Sequence, residues 1–220
     1  MLARSELSEA SVRIPPSGVI GDFAVPINAR GVVIFAHGSG SSRLSSRNRF
    51  VAGVLQRAKL ATLLLDLLTA DEEQIDLRTR RLRFDMELLA KRLVQATEWL
   101  ADHSDIGHLP LGYFGASTGA AAALIAAARL PDSIRAVVSR GGRPDLAGPA
   151  LPKVKAPTLL IVGGDDYVVI DLNKNALNEL QCEKSLAIVP RATHLFEEPG
   201  TLEQVARLAS RWFERHLAAR

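Results

Sequence analysis

The chain has 220 residues, enough for one domain with a full core, and its 47% hydrophobic and 23% charged content is that of a globular protein. Its 27 Lys and Arg stand against 24 Asp and Glu, a net charge of +3 scattered along the chain, which argues against a nucleic-acid binder with concentrated basic residues. One cysteine, Cys182, excludes an intrachain disulfide framework, and no stretch reaches the roughly 18 apolar residues that would cross a bilayer.

The opening "MLARSELSEASV" lacks the apolar core of a signal peptide, so a cytoplasmic location is expected. Next come two candidate edge strands, near Ser11–Ile14 and at "GVIGDFAVP" (18–26), which alternate in polarity as a hairpin does. From "GVVIFAH" (31–37) onward the pattern changes. The runs "ATLLLDLL" (61–68), "LGYFGAS" (111–117), "IRAVVSR" (134–140), "TLLIVGG" (158–164) and "SLAIVP" (185–190) are apolar on both faces, as strands of a covered parallel sheet are. Helical segments fall between them. Over Arg78–His103, Leu82, Met86, Leu89, Leu93, Ala96 and Leu100 form one stripe, which predicts a single helix whose basic opening "RTRRLRF" (78–84) is a solvated face, with ligand steering the alternative. The stretch "SRGGRPDLAGPALPKVKAP" (139–157) reads as a connection inside one sheet. At the end, "PGTLEQ" predicts a helix capped by Thr201 with Gln204 closing the capping box, burying Leu202, Val205, Leu208, Ala209, Trp212 and Phe213.

The alternation calls for one α/β domain over residues 1–220: a doubly wound, mostly parallel sheet of about eight strands, an antiparallel N-terminal edge and helices on both faces. In such sheets ligands bind at the carboxyl ends of the strands. Three reactive side chains stand there. Ser117 lies in "GASTGA" (115–120), a G-x-S-x-G between a strand and the alanine-rich helix, where Gly115 and Gly119 let strand and helix approach. Asp165 and Asp166 follow the strand "TLLIVGG", and position alone allows either. His194 follows "SLAIVP" in the last loop, where an imidazole can take the serine proton. His103, His108 and His216 have no such setting. Asp, Glu and His show no metal-ligand spacing, so no metal and no cofactor is expected.

The order Ser117, Asp, His194, with "FAHGSGSS" (35–42), "GASTG", "GGDDYVV" (163–169) and "THLFEEPG" (193–200), resembles the α/β-hydrolase superfamily, and most closely its small dienelactone-hydrolase-like branch without a large lid. The superfamily pattern G-x-x-D-x-x-V fits Gly163, Asp166 and Val169, so the resemblance implies Asp166 as the acid, with Asp145 in reserve. It also implies an oxyanion hole from the N–H groups of Ser39 and Thr118, with Gly38 and Gly40 keeping the backbone close to substrate and His37 bracing the loop. Dienelactone hydrolases proper use a cysteine nucleophile, whereas the elbow here holds serine and Cys182 lies far along the chain. That departure points to serine esterase or lactonase chemistry through an acyl-enzyme. A small-molecule ester is the expected partner, with neither nucleic acid nor membrane. Arg43, Arg47, Arg140 and Arg143 lie near strand ends, and Arg143 is the candidate for an anionic substrate group. The segments after Leu68 and after Ser139 should rim the pocket. A thioesterase or peptidase would use the same machinery, and a non-catalytic binding protein is the alternative class.

Overall fold

In the computed structural model, residues 7–103 and 105–217 are described. The ends of the expected domain and the first half of "MLARSELSEASV" lie outside them. Strand β1 (Leu7–Ile14) pairs with β2 (Val19–Pro26) as an antiparallel hairpin. The remaining strands are β3 (Val32–Ala36), β4 (Ala61–Leu65), β5 (Leu111–Ala116), β6 (Ile134–Arg140), β7 (Thr158–Gly163) and β8 (Lys184–Val189). They form one sheet in the order β1-β2-β4-β3-β5-β6-β7-β8, parallel from β4 to β8. This is the mostly parallel sheet with an antiparallel N-terminal edge that the alternation of strand and helix signals predicts, and the α/β-hydrolase-like sheet that the resemblance implies.

The apolar runs become strands because both of their faces are covered. Every residue of β3, β4, β5 and β7 is buried. Helices α3 (Met86–Ala101), α4 (Thr118–Arg129) and α5 (Tyr167–Glu179) pack on one face, while α1 (Ser46–Arg57) and α6 (Thr201–His216) pack on the other. Fully burying one Val, Leu, Ile or Phe is worth about 1.5–3 kcal/mol, so the two layers hold the strand ends rigidly. Helix α4 is buried around its circumference, and its alanines let it lie close to β5. The strand β8 differs from expectation. It is the last strand in the order, paired only with β7, and Ile188 is 44% exposed.

The single helix expected over Arg78–His103 is two helices. Helix α2 (Ala70–Thr79) ends at Arg80, which adopts a left-handed conformation (φ 54°), and a 3-10 turn at Leu82–Phe84 comes next. Asp85 then caps α3, its side chain accepting from the Leu88 N–H at 3.0 Å. The basic stretch therefore straddles a helix end instead of opening a helix. The expected cap of α6 is also corrected. Gly200 (φ 83°) is the cap, no capping box forms, and Thr201 is the first helical residue, its hydroxyl donating to Glu198 O at 2.7 Å. A positive φ at Gly200 turns the chain into the helix without a side-chain cap. Between β6 and β7 the Pro-rich connection forms 3-10 turns at Pro144–Lys153, kinked at Gly148. Among the described residues no helix is long and apolar enough to cross a membrane.

Candidate active site

Ser117 joins β5 to α4 with φ 50° and ψ −122°, a conformation that costs a non-glycine residue about 1–3 kcal/mol. Its neighbours hold it there. A Cβ added to Gly115 would lie 2.4 Å from the Ala120 Cα, and one added to Gly119 would lie 2.3 Å from Ala36 O and 2.4 Å from His37 O. Helix, β5 and the end of β3 thus approach at distances only glycine permits. Ser117 N–H donates to Arg140 O at 3.2 Å, and Arg143 N–H donates to Ser117 O at 3.1 Å.

His194 sits in the loop after β8, with its Nδ1 2.7 Å from Asp166 Oδ2. Asp166 lies shortly after β7 and directly precedes α5, so sheet register fixes the carboxylate. Its neighbour Asp165 is exposed, and its N–H donates to Ala192 O at 3.0 Å. Asp145, the reserve acid, is chelated by Arg143 at 2.9 and 2.8 Å and does not meet His194. The segment after β6 touches both other members: a Cβ on Gly141 would lie 3.7 Å from His194 Cε1, while Arg143 binds the Ser117 carbonyl. Ser117 Oγ itself makes no hydrogen bond among the described residues. No Ser117–His194 hydrogen bond forms among the described residues, whereas His194 and Asp166 are joined.

The loop after β3 runs against Ser117. A Cβ on Gly38 would stand 3.0 Å from Ser117 Cβ and 3.8 Å from its Oγ. The N–H groups of Ser39 and Thr118 have no hydrogen-bond partner among the described residues, so both are free for an oxyanion. His37 fixes this loop. Its Nδ1 is 2.9 Å from Gly38 O, and Leu67 N–H donates to its Nε2 at 3.1 Å. Those partners select the neutral tautomer with the proton on Nδ1. Burial lowers the His37 pKa, an effect the Gly38 carbonyl only partly opposes.

The four candidate arginines have different fates. Arg143 is committed to Asp145, whose carboxylate raises its pKa. Arg43 bridges Asp66 (2.6 Å) and Asp22 (3.1 Å), and these carboxylates outweigh the burial that opposes its charge. Arg47 pairs with Glu197 at 3.1 Å. Arg140 is buried with Asn48 Oδ1 at 3.3 Å, and burial, with the nearby charge of Arg47, brings its pKa down to about 10. None of them lines the cavity that Gly38 and Thr118 border. That cavity, of about 190 Å³, is bounded by the oxyanion loop, Thr118, Leu67 and Leu68, and by α2 through Glu73, Asp76 and Leu77. The expected rim after Leu68 is present, whereas no residue of the segment after Ser139 reaches the cavity. That rim is helix α2, and its capping box, Thr69 with Glu72, is the sequence signal for a helix there. Among the described residues, no group of three or more His, Cys, Asp or Glu is placed to hold a metal ion.

No family model matches the chain. A dienelactone hydrolase from Anabaena variabilis ATCC 29413 is 62% identical, with a TM-score of 0.93 over 96% of this chain and 99% of that one. Est1E from Butyrivibrio proteoclasticus, at 15% identity and a TM-score of 0.78 over 95% of this chain and 99% of that one, shares the fold. The chain is also 60% identical, over 209 residues and 95% of its length, to the "Putative phosphoribosyl transferase" of Mycobacterium tuberculosis (strain CDC 1551 / Oshkosh), of which it spans about half, 46%. The match at 62% identity runs the length of both chains. The chain belongs to the dienelactone-hydrolase-like branch of the α/β-hydrolase superfamily.

Proposed function

We propose that the protein is a serine hydrolase that cleaves small carboxylic esters or lactones through an acyl-enzyme. The observation that carries this reading is the conformation of Ser117, held at φ 50° and ψ −122° on the β5–α4 turn by two glycine-only approaches. A tight turn without chemistry would relieve such strain by placing glycine there; a nucleophile must keep its side chain.

The surroundings set the chemistry. Ser117 Oγ attacks the ester carbonyl while His194 Nε2 takes its proton. The imidazolium that forms is stabilised by Asp166, which also holds the proton on Nδ1 and so leaves Nε2 as the base. The N–H groups of Ser39 and Thr118 receive the charge developing on the carbonyl oxygen. His194 then protonates the departing alcohol. In the second half a water gives its proton to His194 and attacks the acyl carbon, and the released Ser117 recovers the proton.

A panel of p-nitrophenyl esters of increasing chain length tests this beside the Ser117→Ala variant, which should lose roughly a thousandfold or more in kcat/KM. A fluorophosphonate should label Ser117 covalently. Unlabelled wild-type protein with no esterase turnover favours the binding-protein alternative instead. The phosphoribosyl transferase name belongs to a relative of which more than half lies outside the match.

A further inference from the structure

Arg140, the last residue of β6, is 6% exposed and has no carboxylate at ion-pair distance among the described residues. Its Nη2 donates to a neutral acceptor, Asn48 Oδ1, at 3.3 Å. Its Nε is sealed from solvent without a partner, whereas Nη1 has no partner either and is not sealed. Burial and the charge of Arg47 both lower its pKa, to about 10, and no carboxylate opposes them. The guanidinium therefore stays charged at neutral pH. Buried charges in folded proteins are held by partners of opposite sign, and this one has none.

Three elements meet at this guanidinium. Asn48 lies in the first turn of α1, where the Ser46 and Arg47 N–H groups have no acceptor among the described residues and no acidic residue stands. Arg47 Nη1 is bound to Glu197 Oε1 at 3.1 Å, and its other Nη has no partner among the described residues. Glu197 follows His194 by three residues, so the loop of the imidazole borders the same place. Arg140 O accepts the Ser117 N–H at 3.2 Å, and a Cβ on Gly141 would lie 3.7 Å from His194 Cε1. The cluster thus lies at the carboxyl edge of the sheet, beside Ser117 and His194, where ligands of such sheets bind. Neither Arg140, Arg47, Asn48 nor Glu197 lines the 190 Å³ cavity under α2, so this is a separate place.

Charge selects the ligand. Arg47 and Glu197 cancel each other. Next along α1, Arg43 and Arg49 with Asp22 and Asp66 form a closed set of two cations and two carboxylates. Arg140 keeps a whole positive charge, and the N-terminus of α1 adds about half of one. A carboxylate brings a single negative charge, whereas a phosphate monoester brings about 1.5 to 2 at neutral pH and three acceptor oxygens. The phosphate is the better match, and helix N-termini with guanidiniums are suited to it.

We propose that Arg140, Arg47 and the first turn of α1 form a binding site for a phosphate group, carried by a phosphate monoester or free as inorganic phosphate. Arg140 Nη1 and the Nη of Arg47 that Glu197 leaves free donate to its oxygens, and the helix adds its positive field.

Calorimetric titration of the full chain with inorganic phosphate, at neutral pH and constant ionic strength, tests the site. It should show one site with a Kd of about 1 mM or tighter, with acetate weaker by about tenfold or more. Arg140→Gln should weaken phosphate by about tenfold or more and Arg47→Gln by about threefold or more. Arg129→Gln, the same change of charge in the last turn of α4, should leave the affinity unchanged. Where circular dichroism shows Arg140→Gln unfolded, Arg47→Gln decides. No phosphate binding, acetate bound as tightly as phosphate, or an affinity that Arg47→Gln does not move overturns the proposal. Two esters then distinguish the sources of the phosphate, an arm that rests on the ester-hydrolase reading above. A phosphate carried by the substrate gives 2-acetoxyethyl phosphate a kcat/KM about tenfold above that of ethyl acetate, a preference that Arg140→Gln abolishes. Equal turnover of the two, with phosphate still bound, assigns the site to inorganic phosphate. Failure to hydrolyse either ester counts against the hydrolase reading alone, and the titration stands.

Discussion

Replacing Gly119 by alanine adds one methyl group at the place where α4 meets the end of β3. The new Cβ would stand 2.3 Å from Ala36 O and 2.4 Å from His37 O, about an ångström inside ordinary contact, and both neighbours are main chain. Neither can rotate away, so the cost falls at the upper end of the overpacking range, about 3 kcal/mol. Alanine returns at most about 1 kcal/mol through its better helix propensity. The net loss of about 2 kcal/mol corresponds to a melting temperature lower by roughly 4–8 °C for a chain of this size. Relief of the clash must also separate the Thr118 N–H from the loop carrying Ser39, so kcat should fall by about a hundredfold, the lower figure for one lost oxyanion donor. Gly53 in α1 is the internal control. A Cβ there meets nothing nearer than Arg57 Nη1 at 3.7 Å, and Gly53→Ala should raise the melting temperature by about 2–4 °C. Far-UV circular dichroism melts and p-nitrophenyl acetate turnover read both variants. A Gly119→Ala protein that melts and turns over like the parent would refute the reasoning, because helix and oxyanion loop would then not be in contact.

Asp166→Asn should keep the fold and lower kcat by roughly ten-thousandfold, since the amide stabilises the wrong imidazole tautomer; steady-state kinetics with parent-like circular dichroism checks it. Burial lowers the His37 pKa below its ordinary 6.5, so the unfolded chain takes up a proton that the folded loop refuses. Its contribution to stability is whole above pH 6.5 and is lost as the pH falls below that value, with His216, also lowered by burial, adding to the same slope. Urea unfolding between pH 5 and 8 should show this decline, shallower in His37→Asn; an identical slope in the variant contradicts it. Tyr113→Phe removes a buried hydroxyl 2.6 Å from Thr97 Oγ1. Because Thr97 keeps its bond to Leu93 O at 2.9 Å, the loss should be only about 1 kcal/mol, measured by the same unfolding experiment.

The parts of this molecule that were legible in advance are those dictated by burial. Strands covered on both faces admit only apolar residues, so β3 to β7 stood out as uninterrupted runs. Ser117 and the aspartate pair are marked by their place at the carboxyl ends of such runs, where the chain leaves the sheet. Asp166, rather than Asp165, meets the imidazole because it lies one residue deeper into the turn, directly before α5, while Asp165 points to solvent. Residue types alone could not make that choice.

What stayed hidden is set by local backbone states and by pairing across space. Nothing in the apolar spacing of Leu82, Met86 and Leu89 marks Arg80 as left-handed, so two helices read as one; the stripe continued across a break that only Asp85 and the Thr69–Glu72 box announce. The same limit explains the arginines. Arg143, the candidate for an anionic substrate group, is taken instead by Asp145, two residues on. Arg83 looked like one of several solvated cations, and only the fold brings it onto Asp76 at the cavity wall. The net charge of a pocket is a sum over pairs made by the fold, so a list of nearby cations carries no sign for the substrate. Among the charged residues lining that cavity, Asp66, Glu73, Asp76 and Arg83, carboxylates outnumber cations, in a chain whose total charge is positive.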